Sequence, residues 1–321
     1  MSLNTYLEAL EKEIGTLEYG NEPVELYEPV TYLMSLGGKR LRPALVLMAY
    51  HLFENNWEAA MKPALAVEVF HNFTLMHDDI MDDAPLRRGK QTVHEKWNRD
   101  VAILSGDVML IAAYDLLSEV PEKQLKIVLK RFNKTAAEVC EGQQMDMNFA
   151  SRESVSEEEY IRMIRLKTSV LLGFALELGA RAAGQSDSFS SELYEIGVNL
   201  GIGFQLKDDI LDVYGDPEKF GKQVGGDIIE NKKTWLMLKA LEKSEPGSEL
   251  HQWIAKTNFD PEEKVAAVRK IFTSLGIKEQ AGNAMSSYFE KGFEGIRKLN
   301  VPDERKTTLR EFAQWLLERD R

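Results

Sequence analysis

Two short stretches, HDDIMDD at 77–83 and KDDILDV at 207–213, carry the side chains best suited to chemistry. Each contains the pattern DDxxD: Asp78, Asp79 and Asp82 in the first, Asp208, Asp209 and Asp212 in the second. With 17 Asp among 321 residues, chance supplies one such match roughly 0.05 times per chain and two about once in a thousand. On a helix, positions i and i+4 project from neighbouring points of one face. Asp78 and Asp82 can therefore share a cation, as can Asp208 and Asp212. His71 falls within ~20° of both Asp78 and Asp82 around such a helix. Paired carboxylates are hard oxygen ligands, suited to a magnesium ion that keeps several waters and also binds a phosphate. No neighbouring histidine or cysteine cluster favours zinc. An acidic helix is ordinarily a solvated face. Here, though, both clusters interrupt apolar sequence (Phe73, Leu75, Met76 and Ile80; Ile202, Phe204 and Ile210), where charge is costly unless paired or metal-bound.

Basic residues lie beside both clusters. The segment GGKRLRP at 37–43 joins a flexible backbone to Lys39, Arg40 and Arg42, and LRRG at 86–89 adds Arg87 and Arg88. After the second cluster come Lys222, Asp227 and Asn231-Lys232-Lys233-Thr234, while Lys167-Thr168 interrupts an apolar stretch. Backbone amides, a lysine point charge and an arginine fork are what a diphosphate requires. Acids for metal and bases for phosphate together describe a metal–diphosphate site.

Helices must position these groups. The stripe Leu65, Val69, Phe73, Met76, Ile80 advances by four, four, three and four residues, as one face of an amphipathic helix does. The stretches 161–178 and 193–213 are apolar enough to be buried helices. Gly37-Gly38 breaks the chain, Pro43 suits the first turn of the next helix, Pro85 and Gly89 bracket a loop, and 215–226 forms a second loop. Period-two alternation and hairpin turn signals are missing, so the expectation is one all-α domain over 1–321. The formal charge of -12 argues against nucleic acid or a membrane surface as partner. The 44% apolar content excludes disorder. The densest apolar stretch is interrupted by Glu177 and Arg181, so no membrane span is expected. Glu8, Glu11 and Glu13 stand where a signal peptide needs an apolar run, and Cys140 is the sole cysteine. A soluble cytoplasmic location is the corresponding expectation.

From Gly37 to about Trp235 the chain resembles the trans-type isoprenyl diphosphate synthases, or polyprenyl synthetases. The resemblance rests on an ordered series: GGKRLRP, HNFTLMHDDIMD, LRRG, GD at 106–107, KT at 167–168, GFQLKDDILD, then GK and GGDIIENK. It implies an all-α isoprenoid synthase fold, ten or more helices around a deep central cavity, and a homodimer. The implied reaction joins isopentenyl diphosphate to an allylic diphosphate (dimethylallyl, geranyl or farnesyl), releasing pyrophosphate and adding five carbons. Three magnesium ions are implied: two on Asp78 and Asp82, a third on Asp208, with Asp79, Asp209, Asp212 and Asp227 completing the metal set. Arg87, Lys167, Lys222 and Lys232 would grip the allylic diphosphate, and Lys39, Arg42, His71 and Arg88 the isopentenyl diphosphate. Thr168 and Gln205 would face the developing carbocation. No general base stands out, which fits the family's use of departed pyrophosphate. The +6 of three magnesium ions would formally offset the six Asp of the two motifs.

Phe73 and Thr74 precede Asp78 by about one helical turn. A bulky Phe73 there would floor the product cavity, as in synthases of geranylgeranyl type, with a farnesyl product next and a longer polyprenyl product as the alternative. A terpene cyclase shares the fold but normally lacks the second DDxxD. An inactive regulatory subunit would normally have lost the Asp motifs. The segment after Ser244 shows aromatic residues suited to packing and no motif of its own.

Overall fold

The computed structural model describes residues 2–216 and 224–319. Helices dominate the described residues, as the apolar periodicity requires. In chain order they are α1 (Leu3–Ile14), α2 (Val24–Ser35), α3 (Leu41–His51), α4 (Met61–Met81), α5 (Val93–Lys96), α6 (Arg99–Leu117), α7 (Glu122–Ser151) and α8 (Glu157–Ile164). A π-helical turn at Arg165–Ser169 leads into α9 (Val170–Ala182), followed by α10 (Asp187–Tyr214). The remainder is α11 (Gly226–Ile229), α12 (Trp235–Lys243), α13 (Glu249–Ala255), α14 (Pro261–Ser274), α15 (Ile277–Lys298) and α16 (Asp303–Glu318).

The chain divides into two compact units whose segments alternate in sequence. One comprises residues through Thr135 with Leu171–Tyr194 and Leu299–Leu309; the other comprises Ala136–Val170, Glu195–Lys298 and the chain from Arg310. In the first unit α4 packs on α3 and α6, α2 lies on α6, and α1 lies on α3. The stripe that predicts α4 is what packs: Leu65, Val69 and Met76 are buried, while Phe73 and Ile80 stay partly accessible. An aromatic cluster closes this core, with Phe132 edge-on to Phe70 at 4.9 Å and to Tyr114 at 5.0 Å. Glu177, fully buried in α9, accepts from Arg131 and Arg181 at 2.8 Å each, so the charges that interrupt that apolar helix neutralise one another. The second unit packs α12 and α14 on α15, with Leu200, Phe272, Phe289 and Ile296 in its core.

Besides the π-helical turn, the structure adds a hairpin that the sequence pattern does not predict. Leu86–Arg87 and Lys90–Gln91 form a two-stranded antiparallel ladder, pairing Leu86 with Gln91 and Arg87 with Lys90. Its turn residues Arg88 (φ 53°) and Gly89 (φ 75°) are both left-handed, which is what a two-residue type I′ hairpin requires.

Candidate active site

The first aspartate cluster occupies the last turn of α4. Asp82 is the C-terminal cap, Asp83 follows with φ 50°, and the Ala84 amide donates back to the Asp79 carbonyl at 3.0 Å, a Schellman-type closure. Three carboxylates thus sit at the negative end of a helix dipole whose last turn holds no basic residue, an arrangement that favours a cation by about 0.3–1 kcal/mol per charge. Within the cluster the roles divide. Asp79 is buried and takes a forked interaction from Arg87, with Nη2 to Oδ1 at 2.6 Å and Nε to Oδ2 at 2.8 Å. Asp78 is partly accessible and Asp82 exposed. His77 faces α6, its Nε2 at 3.2 Å from the Ile103 carbonyl. Phe73 lies between Phe70 and His77, tilted to the first at 5.6 Å and edge-on to the second at 4.7 Å, and the Thr74 hydroxyl donates to the His71 carbonyl.

The loop before α3 is held by an interaction that sequence reasoning missed. Arg40 adopts a left-handed backbone (φ 47°) and is nearly buried. Its guanidinium donates to Glu11 (2.8 Å), Glu68 (2.6 Å) and the Met34 carbonyl (2.9 Å), which over-determines the strained conformation. Lys39 and Arg42 flank this anchor. Arg42 donates to His71 Nε2 at 3.1 Å, so the imidazole proton sits on Nδ1. Desolvation, then Arg42 and the arginines around it, hold His71 well below the ordinary histidine range, so it is neutral near pH 7. Desolvation lowers Arg42 to about 10, and Arg88 is lowered by desolvation and by Arg40. The Nε of Arg42 is buried without a protein partner. Crowded, desolvated cations with an unmet donor are chemically suited to a polyanion.

The second cluster lies at the C-terminal end of α10, again with no basic residue in the last turn. Asp208 pairs with Arg319, whose guanidinium lies over the Phe204 ring at 3.9 Å. Asp212 accepts from the Asp227 backbone amide at 3.1 Å, which ties α11 to α10. Asp209 is buried and accepts from Tyr160 Oη at 2.5 Å, from Gln205 Nε2 at 3.3 Å and from the Trp235 backbone amide. Desolvation and then the charge of Asp227 push Asp209 up to about 8.

Lys167 and Thr168 sit inside the π-helical turn, a feature that often marks functional positions. Helices α7 and α10 clamp that turn through glycines. A Cβ on Gly142 would fall 2.2 Å from the Lys167 amide nitrogen, and one on Gly201 would fall 2.7 Å from Ser169 Cα. The close approach brings Asp146 to Lys167 Nζ at 2.6 Å. Thr168 Oγ1 donates to Gln205 Oε1 at 3.3 Å. Lys232 lies 3.7 Å from Asp227 and 3.4 Å from Glu230, which raise it against its desolvation. Lys222 lies outside the described residues.

Residues 23–272 match the family description "Polyprenyl synthetase". The chain belongs to this family. The geranylgeranyl diphosphate synthase of Methanosarcina mazei is 40% identical over 300 residues, covering 93% of this chain and 91% of the relative. A crystal structure of a geranylgeranyl pyrophosphate synthase superposes with a TM-score of 0.92 at 47% identity, covering 99% of this chain and 98% of the other. The geranylgeranyl pyrophosphate synthetase from Pyrococcus horikoshii superposes at 0.90 with 31% identity, covering 99% and 97%. The polyprenyl synthetase fold is therefore all-α here, as the residue spacing predicts.

Magnesium is the ion this family uses, and the donor set is chemically apt: carboxylate oxygens at two helix ends whose last turns hold no basic residue, with Arg87 on Asp79 and Arg319 on Asp208 as their cationic partners from elsewhere in the chain. Among the described residues, no group of three or more His, Cys, Asp or Glu side chains is drawn together for a metal ion. The sequence reading missed Tyr160, Asp146 and Arg319, and it counted Arg40 among the phosphate-facing cations although its guanidinium is taken by Glu11 and Glu68. No local signal marks them, because their partners lie 21 to 111 residues away in the chain.

Proposed function

We infer that this polyprenyl synthetase condenses isopentenyl diphosphate with an allylic diphosphate, forming a longer all-trans prenyl diphosphate and pyrophosphate. The observation that carries the reading is the pairing, within each unit, of a carboxylate cluster at a helix C-terminus with desolvated basic side chains nearby. Asp78, Asp82 and Asp208 would hold magnesium, with Asp212 and Asp227 in support. When bound, magnesium supplies positive charge against the negative charge that grows on the departing diphosphate.

The chain's own residues supply the rest. Arg87, Lys167 and Lys232 bind the allylic diphosphate, and Lys222 is assigned with them. Lys39, Arg42 and Arg88 bind the isopentenyl diphosphate, with His71 donating from Nδ1. As the allylic carbon–oxygen bond breaks, the oxygens of Thr168 and Gln205 face the cation. The isopentenyl double bond attacks that carbon, and the proton lost from the adjacent carbon passes to the departed pyrophosphate. The product proposed is of geranylgeranyl or farnesyl type, with Phe73 limiting its length and Thr74 beside it.

Residues 1–321 are proposed to act as one functional domain, since segments of both units alternate along the chain. A homodimer is proposed, supported by Ile103 (43% exposed), Leu104 (57%) and Ile111 (60%), an apolar stripe at helical spacing along α6. A cytoplasmic location is proposed with it; among the described residues no helix is long and apolar enough to cross a membrane. Incubation with labelled isopentenyl diphosphate, each allylic primer and magnesium tests the reaction. Labelled prenyl diphosphate supports it; unchanged substrates refute it.

A further inference from the structure

Asp209 follows Asp208 by one residue, so its side chain leaves α10 about 100° around the axis from Asp208 and about 60° from Asp212. Its surroundings match that direction. Asp209 is 3% exposed, as is Tyr160, and its carboxyl accepts from the Tyr160 hydroxyl, the Gln205 side-chain amide and the Trp235 backbone amide. Gln205 has two possible amide orientations. With Nε2 on Asp209 Oδ1 at 3.3 Å, its Oε1 must point to Thr168, whose hydroxyl donates to it at 3.3 Å. The opposite orientation would press Oε1 against the carboxyl oxygen and turn an N–H toward Thr168. Only an acceptor at Asp209 selects between the two.

We propose that Asp209, fixed by Tyr160, is a positioning residue rather than a magnesium ligand: it locks the Gln205 amide so that Gln205 Oε1 presents electron density to the allylic cation. The proposal rests on the condensation reaction inferred above. An amide turned the other way would place positively polarised hydrogens beside a developing cation and slow ionisation without weakening the grip on either diphosphate.

The test compares Asp209→Ala, Asp209→Asn and Tyr160→Phe with Asp208→Ala, all in the full chain. Magnesium-dependent binding of inorganic pyrophosphate is measured by calorimetry, kcat and KM are measured for both substrates, and thermal unfolding checks the fold. Asp209→Ala is expected to keep pyrophosphate binding within about threefold of the parent while kcat falls on the order of 10–100-fold at nearly constant KM. Asp209→Asn should recover most of that kcat, because its Oδ1 still accepts from Gln205 while the Tyr160 hydroxyl can rotate to accept. Should Asp209→Ala fail to fold, Tyr160→Phe decides, with kcat expected to fall roughly fivefold at constant KM. Loss of pyrophosphate binding in both Asp209 variants, as in Asp208→Ala, would make Asp209 a ligand and overturn the proposal. So would unchanged kcat in Asp209→Ala, or in Tyr160→Phe where that variant decides. A parent chain that does not condense its substrates overturns the underlying reaction instead, a result visible before any variant is made.

Discussion

Phe73→Ala should lengthen the product by about one five-carbon unit. In the proposed arrangement the product tail runs along α4 away from Asp78, and Phe73 is the first large ring it meets, held between Phe70 and His77. Removing the ring leaves Phe70, three residues further along and almost fully buried, as the next obstacle. Three residues of α-helix correspond to about 4.5 Å. One trans isoprene unit adds four carbon–carbon bonds of about 1.5 Å, or about 5 Å when extended. The space gained therefore fits one unit and not two. Phe73 is only partly buried, so the stability cost should fall below the roughly 3–5 kcal/mol of a fully buried Phe→Ala change, which melting of the variant checks. Chromatography of dephosphorylated products should show the main peak displaced by one unit, and Phe70→Ala added to Phe73→Ala should move it again. An unchanged main product from folded Phe73→Ala would refute Phe73 as the floor.

Asp78→Ala should abolish turnover at every magnesium concentration and weaken magnesium-dependent pyrophosphate binding by more than about tenfold; near-normal activity would sink the metal assignment. Asp209 makes the stability of the fold depend on pH. Its folded-state pKa is raised to about 8, so its contribution to stability is fully present below the ordinary carboxyl value and is lost as pH rises through about 8. The metal-free protein should lose up to about 1.4 kcal/mol per pH unit across that window. Urea titrations from pH 4 to 8 should show that slope in the parent and a flatter one in Asp209→Asn; identical slopes would contradict the shift. Ile111→Glu on α6 should convert the proposed dimer to monomer in sedimentation velocity, whereas an unaltered dimer would place the interface elsewhere.

The aspartate clusters were legible because their geometry is local. Carboxylates at i and i+4 share a helix face wherever the helix lies, and the stripe through Leu65, Val69 and Met76 marks that helix as packed. The π-helical turn under Lys167 and Thr168 was not legible, because it depends on a shift of hydrogen-bond register that side-chain periodicity does not record. The 86–91 hairpin was hidden by its size: two residues per strand cannot show alternation, and its turn signal is Arg-Gly, outside the usual Asn-Gly and Asp-Gly pairs. Arg319 meets Asp208 across 111 residues of sequence, and Tyr160 meets Asp209 across 49. Contacts of that kind arise from tertiary packing, and the segment after Ser244, which shows no motif of its own, supplies one of them.

Product analysis separates chain elongation from every rival chemistry of this fold. The purified chain would be given magnesium, labelled isopentenyl diphosphate and dimethylallyl, geranyl or farnesyl diphosphate in turn, with products sized and pyrophosphate counted. One pyrophosphate released per five carbons added, with label accumulating in a prenyl diphosphate of fifteen or twenty carbons, is the predicted result. Consumption of the allylic substrate without uptake of label, giving a cyclised hydrocarbon, would contradict it, as would no turnover of any pair.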